Sequence, residues 1–199
     1  MKKPELLAPA SSLEVLKIAV EFGADAVYIG GEAFGLRAKA KNFTNEEIKE
    51  GIAFAHAHDV KVYVTANILA HNYDLEGARA YFEELKTIGP DALIISDPGM
   101  FTIAKEVMPD TDIHISTQAN NTNYMTYRFW YGQGVKRVVS ARELSLKEIK
   151  EIREHLGMET NEFNPYRKRL IKKGIVSGET RGYVFFTLPL FERYVIDNS

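Results

Sequence analysis

The sequence predicts an α/β protein with a parallel sheet built from six tandem βα units. Three observations carry this. Short β-rich runs alternate with longer amphipathic runs along the first 157 residues. Most of the short runs are apolar on both faces, as strands covered on two sides must be. Glycine recurs just before the second, fourth and sixth runs, in Gly23-Ala24-Asp25-Ala26, Gly89-Pro90-Asp91-Ala92 and Gly134-Val135-Lys136-Arg137. There it lets a helix end in a left-handed turn.

The six runs are Glu5–Ala10, Ala26–Gly31, Lys61–Asn67, Ala92–Asp97, Asp112–Ala119 and Arg137–Arg142. Ser12–Phe22 places Leu13, Leu16 and Val20 on one helical face. Thr44–His58 opens on Thr44 and Glu47, the spacing of a capping box. Leu75–Ile88 stops at Gly89-Pro90. Gly99–Val107, Thr122–Tyr131 and Ser145–Leu156 complete the helices. This alternation fits either an open doubly wound sheet or a barrel.

The character changes after about residue 158. Residues 160–199 carry seven Lys or Arg against four Asp or Glu, whereas the rest of the chain carries 18 against 23. The pattern predicts a helix over Tyr166–Lys173, a hairpin over Ile175–Val176 and Tyr183–Thr187, and a last short helix from Pro189. The expected domains are therefore 1–158 and 159–199.

Composition narrows the chemistry. The chain is 45% apolar and 26% charged, within the range of a soluble globular protein. Its net charge of −2 gives no global attraction to nucleic acid or to a membrane surface. There is no cysteine, which removes disulfides, thiolate nucleophiles and Cys-ligated clusters from this chain. No run approaches the ~20 apolar residues of a membrane span, and the start lacks a signal-peptide core. The expectation is a cytoplasmic protein.

In parallel β/α folds, ligands sit on the loops after the carboxyl ends of the strands. The candidates are Pro9, Ala10 and Ser11 after the first strand, then Gly30, Gly31, Glu32 and Arg37 after the second. Asn67 and His71 follow the third, Asp97 the fourth, Gln118, Asn120 and Asn121 the fifth, and Arg142 and Glu143 the sixth. Gly30-Gly31 admits a close anion or is merely a tight turn. Arg37 can grip a carboxylate or phosphate with its fork. Asp97 reads better as a helix cap than as a catalyst. Gln118 and Asn120 can orient a substrate but not act as bases. On a strand, Arg142 and Glu143 would face opposite ways. Glu143 is the leading acid/base candidate, with capping of the sixth helix as its alternative, and Glu32 is the second. The five histidines form no metal pattern, and neither H-E-x-x-H nor G-x-S-x-G occurs. The aromatic run Tyr124, Tyr127, Phe129, Trp130, Tyr131 can stack on bases, but packing explains its helical spacing better. The basic run Arg167–Lys173 offers contacts to phosphates or a solvated face.

Six segments resemble the N-terminal part of the U32 peptidase (collagenase-like) family. They are Pro4-Glu5-Leu6-Leu7-Ala8-Pro9-Ala10, Asp25-Ala26-Val27-Tyr28-Ile29-Gly30-Gly31, Leu36-Arg37-Ala38, Ser96-Asp97-Pro98-Gly99, Ser116-Thr117-Gln118-Ala119-Asn120 and Ser140-Ala141-Arg142-Glu143. Ser11 departs from the family's usual glycine. The resemblance implies an incomplete TIM-like parallel (β/α) barrel with a short α+β tail. It also implies an enzyme whose relatives look like proteases by name, or like RNA or quinone hydroxylation enzymes. Arg37, Gln118, Asn120 and Glu143 would help line the pocket, with Gly30, Gly31, Asn67 and Arg142 beside them. The family's later cysteines, ligands of an iron–sulfur cluster in some relatives, are absent, so no cofactor is expected in this chain. RNA or a small molecule is the expected substrate. The alternative is a non-catalytic fusion product or binding module, with the basic tail on nucleic acid or a protein. Residues Tyr166–Ile175, Arg181–Val184 and Leu188–Phe191 resemble the winged-helix end of AAA-type ATPases, without a P-loop. A six-stranded open barrel leaves two parallel edges, so homodimerisation or edge covering is expected.

Overall fold

The computed structural model describes residues 5–31, 33–35 and 42–158, together with the strands Val176–Ser177 and Phe185–Phe186. Two compact units result, and the larger spans Glu5–Leu156. Its elements are β1 (Leu7–Pro9), α1 (Leu13–Glu21), β2 (Ala26–Gly30), α2 (Asn45–His56), β3 (Lys61–Ala66), α3 (Asn72–Ile88), β4 (Ala92–Ile95), α4 (Pro98–Val107), β5 (Asp112–Ile115), α5 (Tyr124–Gly132), β6 (Arg137–Val138) and α6 (Leu146–His155). The other unit is described only through β7 (Val176–Ser177) and β8 (Phe185–Phe186), which pair antiparallel. The helices expected after residue 165 lie outside the described residues.

The six strands pair in parallel in the order β1-β2-β3-β4-β5-β6. That order decides between the two architectures left open above. A doubly wound sheet reverses its strand order at a switch point. Sequential order with right-handed crossovers keeps every helix on one face and curls the sheet into part of a barrel. The unit is a half-barrel.

The two faces of the sheet differ more than its apolar runs suggest. Val27, Ile29, Val62, Val64, Ala66, Leu93, Ile95, Ile113 and Ile115 are buried in the main core with Leu16, Ile48, Phe82, Leu85 and Met100 of the covering helices. The concave face alternates with them. It carries a small cluster of Ala26, Tyr63, Ala92 and Ile94 with Leu7 and Tyr28, and in register with it Thr65, His114 and Arg137.

The recurring Gly turns have a shared mechanism. Gly23, Gly89 and Gly134 have φ of 89°, 81° and 78°, the left-handed region that favours glycine. Two residues later the backbone N–H of Asp25, Asp91 and Lys136 bonds Leu6 O, Val62 O and Ile113 O at 2.9, 3.0 and 3.0 Å. In the first two units the aspartate returns the bond. Asp25 Oδ2 accepts from Leu6 N–H at 2.7 Å and Asp91 Oδ2 from Val62 N–H at 2.8 Å. Each carboxylate therefore starts a new strand and satisfies the amide beside it. Lys136 cannot repeat this, since it has no acceptor.

Helix starts follow the capping expectations. Thr44 and Glu47 form the full capping box, as do Ser145 and Glu148. Ser12 caps α1, and Asp97 caps α4 ahead of Pro98. α3 begins at Asn72 rather than Leu75 because the Asp74 carboxylate accepts from His71 N–H at 2.8 Å. The fifth strand stops at Ile115, since Ser116 opens a 3-10 turn over Thr117–Ala119. The sixth is only two residues long.

Candidate functional site

The loops after the strands bring part of the expected set together. Asn67, one residue beyond β3, donates through Nδ2 to Gln118 Oε1 at 2.9 Å. Between them, beyond β4, buried Ser96 donates through Oγ to the Asn67 carbonyl at 3.2 Å. The carboxyl ends of β3, β4 and β5 are thus linked by neutral hydrogen-bonding groups. Gln118 is solvent-exposed, so its amide can present both a donor and an acceptor to a ligand. Asn120 is exposed in a left-handed conformation, φ 56° and ψ 47°, which asparagine tolerates better than most residues.

Gly30 and Gly31 serve close approach rather than a left-handed turn. A β-carbon on Gly30 would come 3.4 Å from Thr65 Oγ1 and 3.5 Å from Asn42 Oδ1, so this end of β2 is also ringed by neutral polar atoms. One on Gly31 would lie 2.6 Å from the Tyr81 hydroxyl, a distance that no side chain tolerates. That hydroxyl is buried without a hydrogen-bond partner among the described residues, and Tyr81 also packs on Phe34 with ring centroids 5.1 Å apart.

Other expectations change. Arg142 and Glu143 stand on no strand: β6 ends at Val138, and both occupy an exposed turn before α6. The opposite-face argument therefore does not apply. Glu143 does not cap α6, because Ser145 does. Among the described residues no hydrogen bond or ion pair joins Glu143 to Asn67, Gln118 or Asn120. Asp97 is occupied as a cap, its Oδ1 accepting from Met100 N–H at 2.9 Å. Arg37 and Glu32 lie outside the described residues. In the aromatic run, Trp130 is buried edge-on to Phe101, Tyr127 Oη donates to Ser140 Oγ at 2.8 Å, and Tyr124 stacks on His155. Phe129 and Tyr131 are exposed. Of the histidines, His56 pairs with Asp91 and His58 bonds Phe54 O.

Sequence reasoning missed a polar network on the concave side. Glu5 Oε1 accepts from Arg137 Nη1 at 2.6 Å, and Glu5 Oε2 accepts from Tyr63 Oη at 2.8 Å. Arg137 lies over the Tyr63 ring, and His114 meets that ring edge-on at 4.6 Å. Glu5 precedes β1 and Arg137 opens β6, so the network ties the first strand to the last, at their amino ends. Burial pushes the Glu5 carboxyl up, but the hydrogen bonds from Arg137 and Tyr63 and the guanidinium charge outweigh it and hold it below the usual carboxylate range. The bond to Glu5 raises Arg137 further. Burial, then the Glu5 carboxylate, raises the Tyr63 phenol. Burial, with Arg137 adding to it, lowers His114 to about 4. The available signal was Glu5, Tyr63, His114 and Arg137, polar or aromatic side chains in the first, third, fifth and sixth of the otherwise apolar runs. This cluster lies away from the loops and reads as a structural tie.

An iron–sulfur cluster does not fit these residues. The sequence contains no cysteine, and among the described residues no group of three His, Asp or Glu could hold a metal ion. Nor, among the described residues, is any helix long and apolar enough to cross a membrane.

Comparison with known proteins agrees with the fold. The model of peptidase family U32 matches residues 11–164. A model of a domain of unknown function, DUF8462, matches residues 141–195, and the expected ATPase-like character of the tail gains no support. The chain is 47% identical over 162 residues to tRNA hydroxylation protein P1 of Bacillus subtilis (strain 168), covering 81% of this chain and 38% of that protein. It is 38% identical over 148 residues to the 23S rRNA 5-hydroxycytidine C2501 synthase of Escherichia coli (strain K12), covering 74% of this chain and 22% of that one. The chain thus spans little more than a third of the first relative and under a quarter of the second. The solved structure of the U32 peptidase Mk0906 superposes with a TM-score of 0.61 at 15% identity, covering 80% of this chain and 69% of that one, which shows a common fold.

Proposed function

The chain belongs to peptidase family U32, and from that premise we propose that its half-barrel is an RNA-binding part of the RNA-modifying branch of the family. The observation that carries this reading is the Asn67–Gln118 amide pair beyond β3 and β5, backed by Ser96. Amides that donate and accept match the edge of a nucleobase, whereas phosphates call for Arg and Lys. Thr65 and Asn42 beside Gly30 extend the same neutral surface. The relatives named for tRNA and rRNA hydroxylation support RNA as the ligand. The relatives named for hydroxylation are much longer than the matched stretch, and the residues of this half-barrel support binding and orientation. With RNA as ligand, the cytoplasm is the expected compartment. For proteolysis, the described residues offer no group of three His, Asp or Glu that could hold a metal ion.

Within this reading, Gln118 and Asn120 orient the ligand, and Glu143, exposed on the turn after β6, is a side chain able to move a proton. Arg142 beside it supplies positive charge for a phosphate. Among the described residues no further strand pairs with β1 or β6, which supports the further expectation that a second copy covers an edge.

The test is fluorescence anisotropy of an in vitro transcribed, unmodified tRNA titrated with the full chain. Gln118→Ala and Asn67→Ala are expected to weaken binding roughly tenfold each. The salt dependence should be shallow, because few phosphates are neutralised. Binding that both variants leave intact, or none even at low salt, would sink the proposal.

A further inference from the structure

Asn121 is fully buried between two loops that the binding reading treats separately. Its Nδ2 donates to Ser116 O at 2.9 Å, where β5 ends, and to Val139 O at 2.9 Å, just past β6. Its backbone carbonyl accepts from Ala141 N–H at 3.3 Å. On the β5 side, Ser116 N–H holds Ile95 O at 2.8 Å, and Ser116 starts the turn that carries Gln118 and Asn120. On the β6 side, the Val139 carbonyl and Ala141 lead directly into Arg142 and Glu143. Backbone pairing of β5 with β6 covers only His114↔Arg137 and Ile115↔Val138, followed by Val139 N–H on Ile115 O at 2.9 Å. Beyond that point the Asn121 side-chain amide takes over from the sheet ladder, beside the Ala141 N–H bond to its carbonyl and Tyr127 Oη, which donates to Ser140 Oγ at 2.8 Å and reaches Asn121 O at 3.5 Å. Asparagine suits this place because one NH₂ supplies two donors to two carbonyls. Its Oδ1 is left buried and without a partner among the described residues. An apolar side chain would spare that oxygen but leave the Ser116 and Val139 carbonyls without their donor, so the amide is held here by the two loop carbonyls it joins.

We propose that Asn121 is a positioning residue of the binding surface: its amide sets the separation between the Gln118–Asn120 turn and the Arg142–Glu143 turn. The inference rests on the RNA-binding reading for its consequence but not for its geometry. Asn121→Asp keeps the shape and removes both donors, placing a carboxylate against two carbonyl oxygens. Protonating that carboxyl restores one donor, so the defect should shrink as pH falls.

The chain has no cysteine, which makes site-specific labelling clean. Spin labels at Asn120→Cys and Glu143→Cys report the spread of distances between the turns, and anisotropy of the unmodified tRNA transcript reports binding in the unlabelled chain. Asn121→Asp is expected to broaden the distances and to weaken tRNA binding roughly tenfold at pH 8, with partial recovery of both near pH 5. Ile113→Val, which trims the core side of β5, should lower the melting temperature without either effect. Distances unchanged by Asn121→Asp would overturn the proposal. So would broadened distances with full tRNA affinity, or an Ile113→Val chain that loses affinity equally. A wild-type chain that binds no tRNA sinks the RNA reading alone, and the distances still decide whether Asn121 positions the turns.

Discussion

Replacing Gly31 by Ala should destabilise the half-barrel, and removing one oxygen atom elsewhere should reverse it. A β-carbon on Gly31 would stand 2.6 Å from Tyr81 Oη, 3.5 Å from Ile48 Cδ1 and 3.6 Å from Tyr81 Cζ. Only the first is too close. Tyr81 is 7% exposed and clamped against Phe34 and Phe82, so it cannot swing aside freely. Forced overpacking of this kind costs about 1–3 kcal/mol. In a chain of this size each kcal/mol lowers Tm by about 2–4 °C. Tyr81→Phe alone removes a buried hydroxyl without a partner among the described residues, so it should be neutral or stabilising by about 1 kcal/mol. With that oxygen gone, the remaining contacts are ordinary. Gly31 is not in the left-handed region, so alanine there should then be neutral or stabilising by up to about 1 kcal/mol through the unfolded chain. A double-mutant cycle by urea unfolding, read through far-UV circular dichroism, measures the coupling. Two results would refute the reasoning. Destabilisation by Tyr81→Phe beyond about 1 kcal/mol would mean that the hydroxyl is satisfied. A Gly31→Ala defect that survives in the Tyr81→Phe background would place the clash elsewhere.

Two further outcomes follow from the strand-start and concave networks. Asp91→Ala removes the acceptor of the Val62 amide within a buried strand, and should cost about 1–3 kcal/mol. The exposed partner His56 contributes little, so His56→Ala should be nearly silent in the same urea titration; equal losses would reassign the role. His114 titrates near 4 when folded, below its ordinary value of about 6.5. The unfolded chain therefore takes the proton first, and stability is complete above about pH 6.5 and lost progressively towards about pH 4. The lowered Glu5 carboxyl acts in the same direction, its contribution present above its unfolded pKa and lost as pH falls through its depressed folded value. His114→Phe, which keeps the ring against Tyr63, should flatten the slope between pH 6.5 and 4. A wild-type stability that is flat across that window would contradict the buried, neutral histidine.

Much of the architecture is local and therefore legible from residues. Thr44 and Glu47 announce α2, Asp97 ahead of Pro98 announces α4, and Gly23, Gly89 and Gly134 mark the turns into β2, β4 and β6. Each rests on a bond or a backbone conformation spanning a few neighbours, so spacing reveals it. The alternation of six strands and six helices follows from the same short-range rules, and so does the placing of candidate ligands beyond the strand ends.

Tertiary structure decided what depends on partners far apart in the chain. Sheet order, and with it the half-barrel in place of a doubly wound sheet, is set by which strands meet. Glu5 finds Arg137 across 132 positions, and Asn67 finds Gln118 across 51; no local pattern encodes either meeting. Glu143 looked like a strand end or a cap. It is neither, because β6 gives out after two residues and Ser145 takes the cap. Asn120 and Asn121 adjoin after the fifth strand, yet one is exposed and the other wholly buried. A left-handed turn at Asn120 sends the next side chain inward between two strand ends. The sequence by itself determined the elements, through bonds between near neighbours. Only the folded sheet determined which polar groups share a surface, because that depends on long-range packing and on which carbonyls remain to be satisfied.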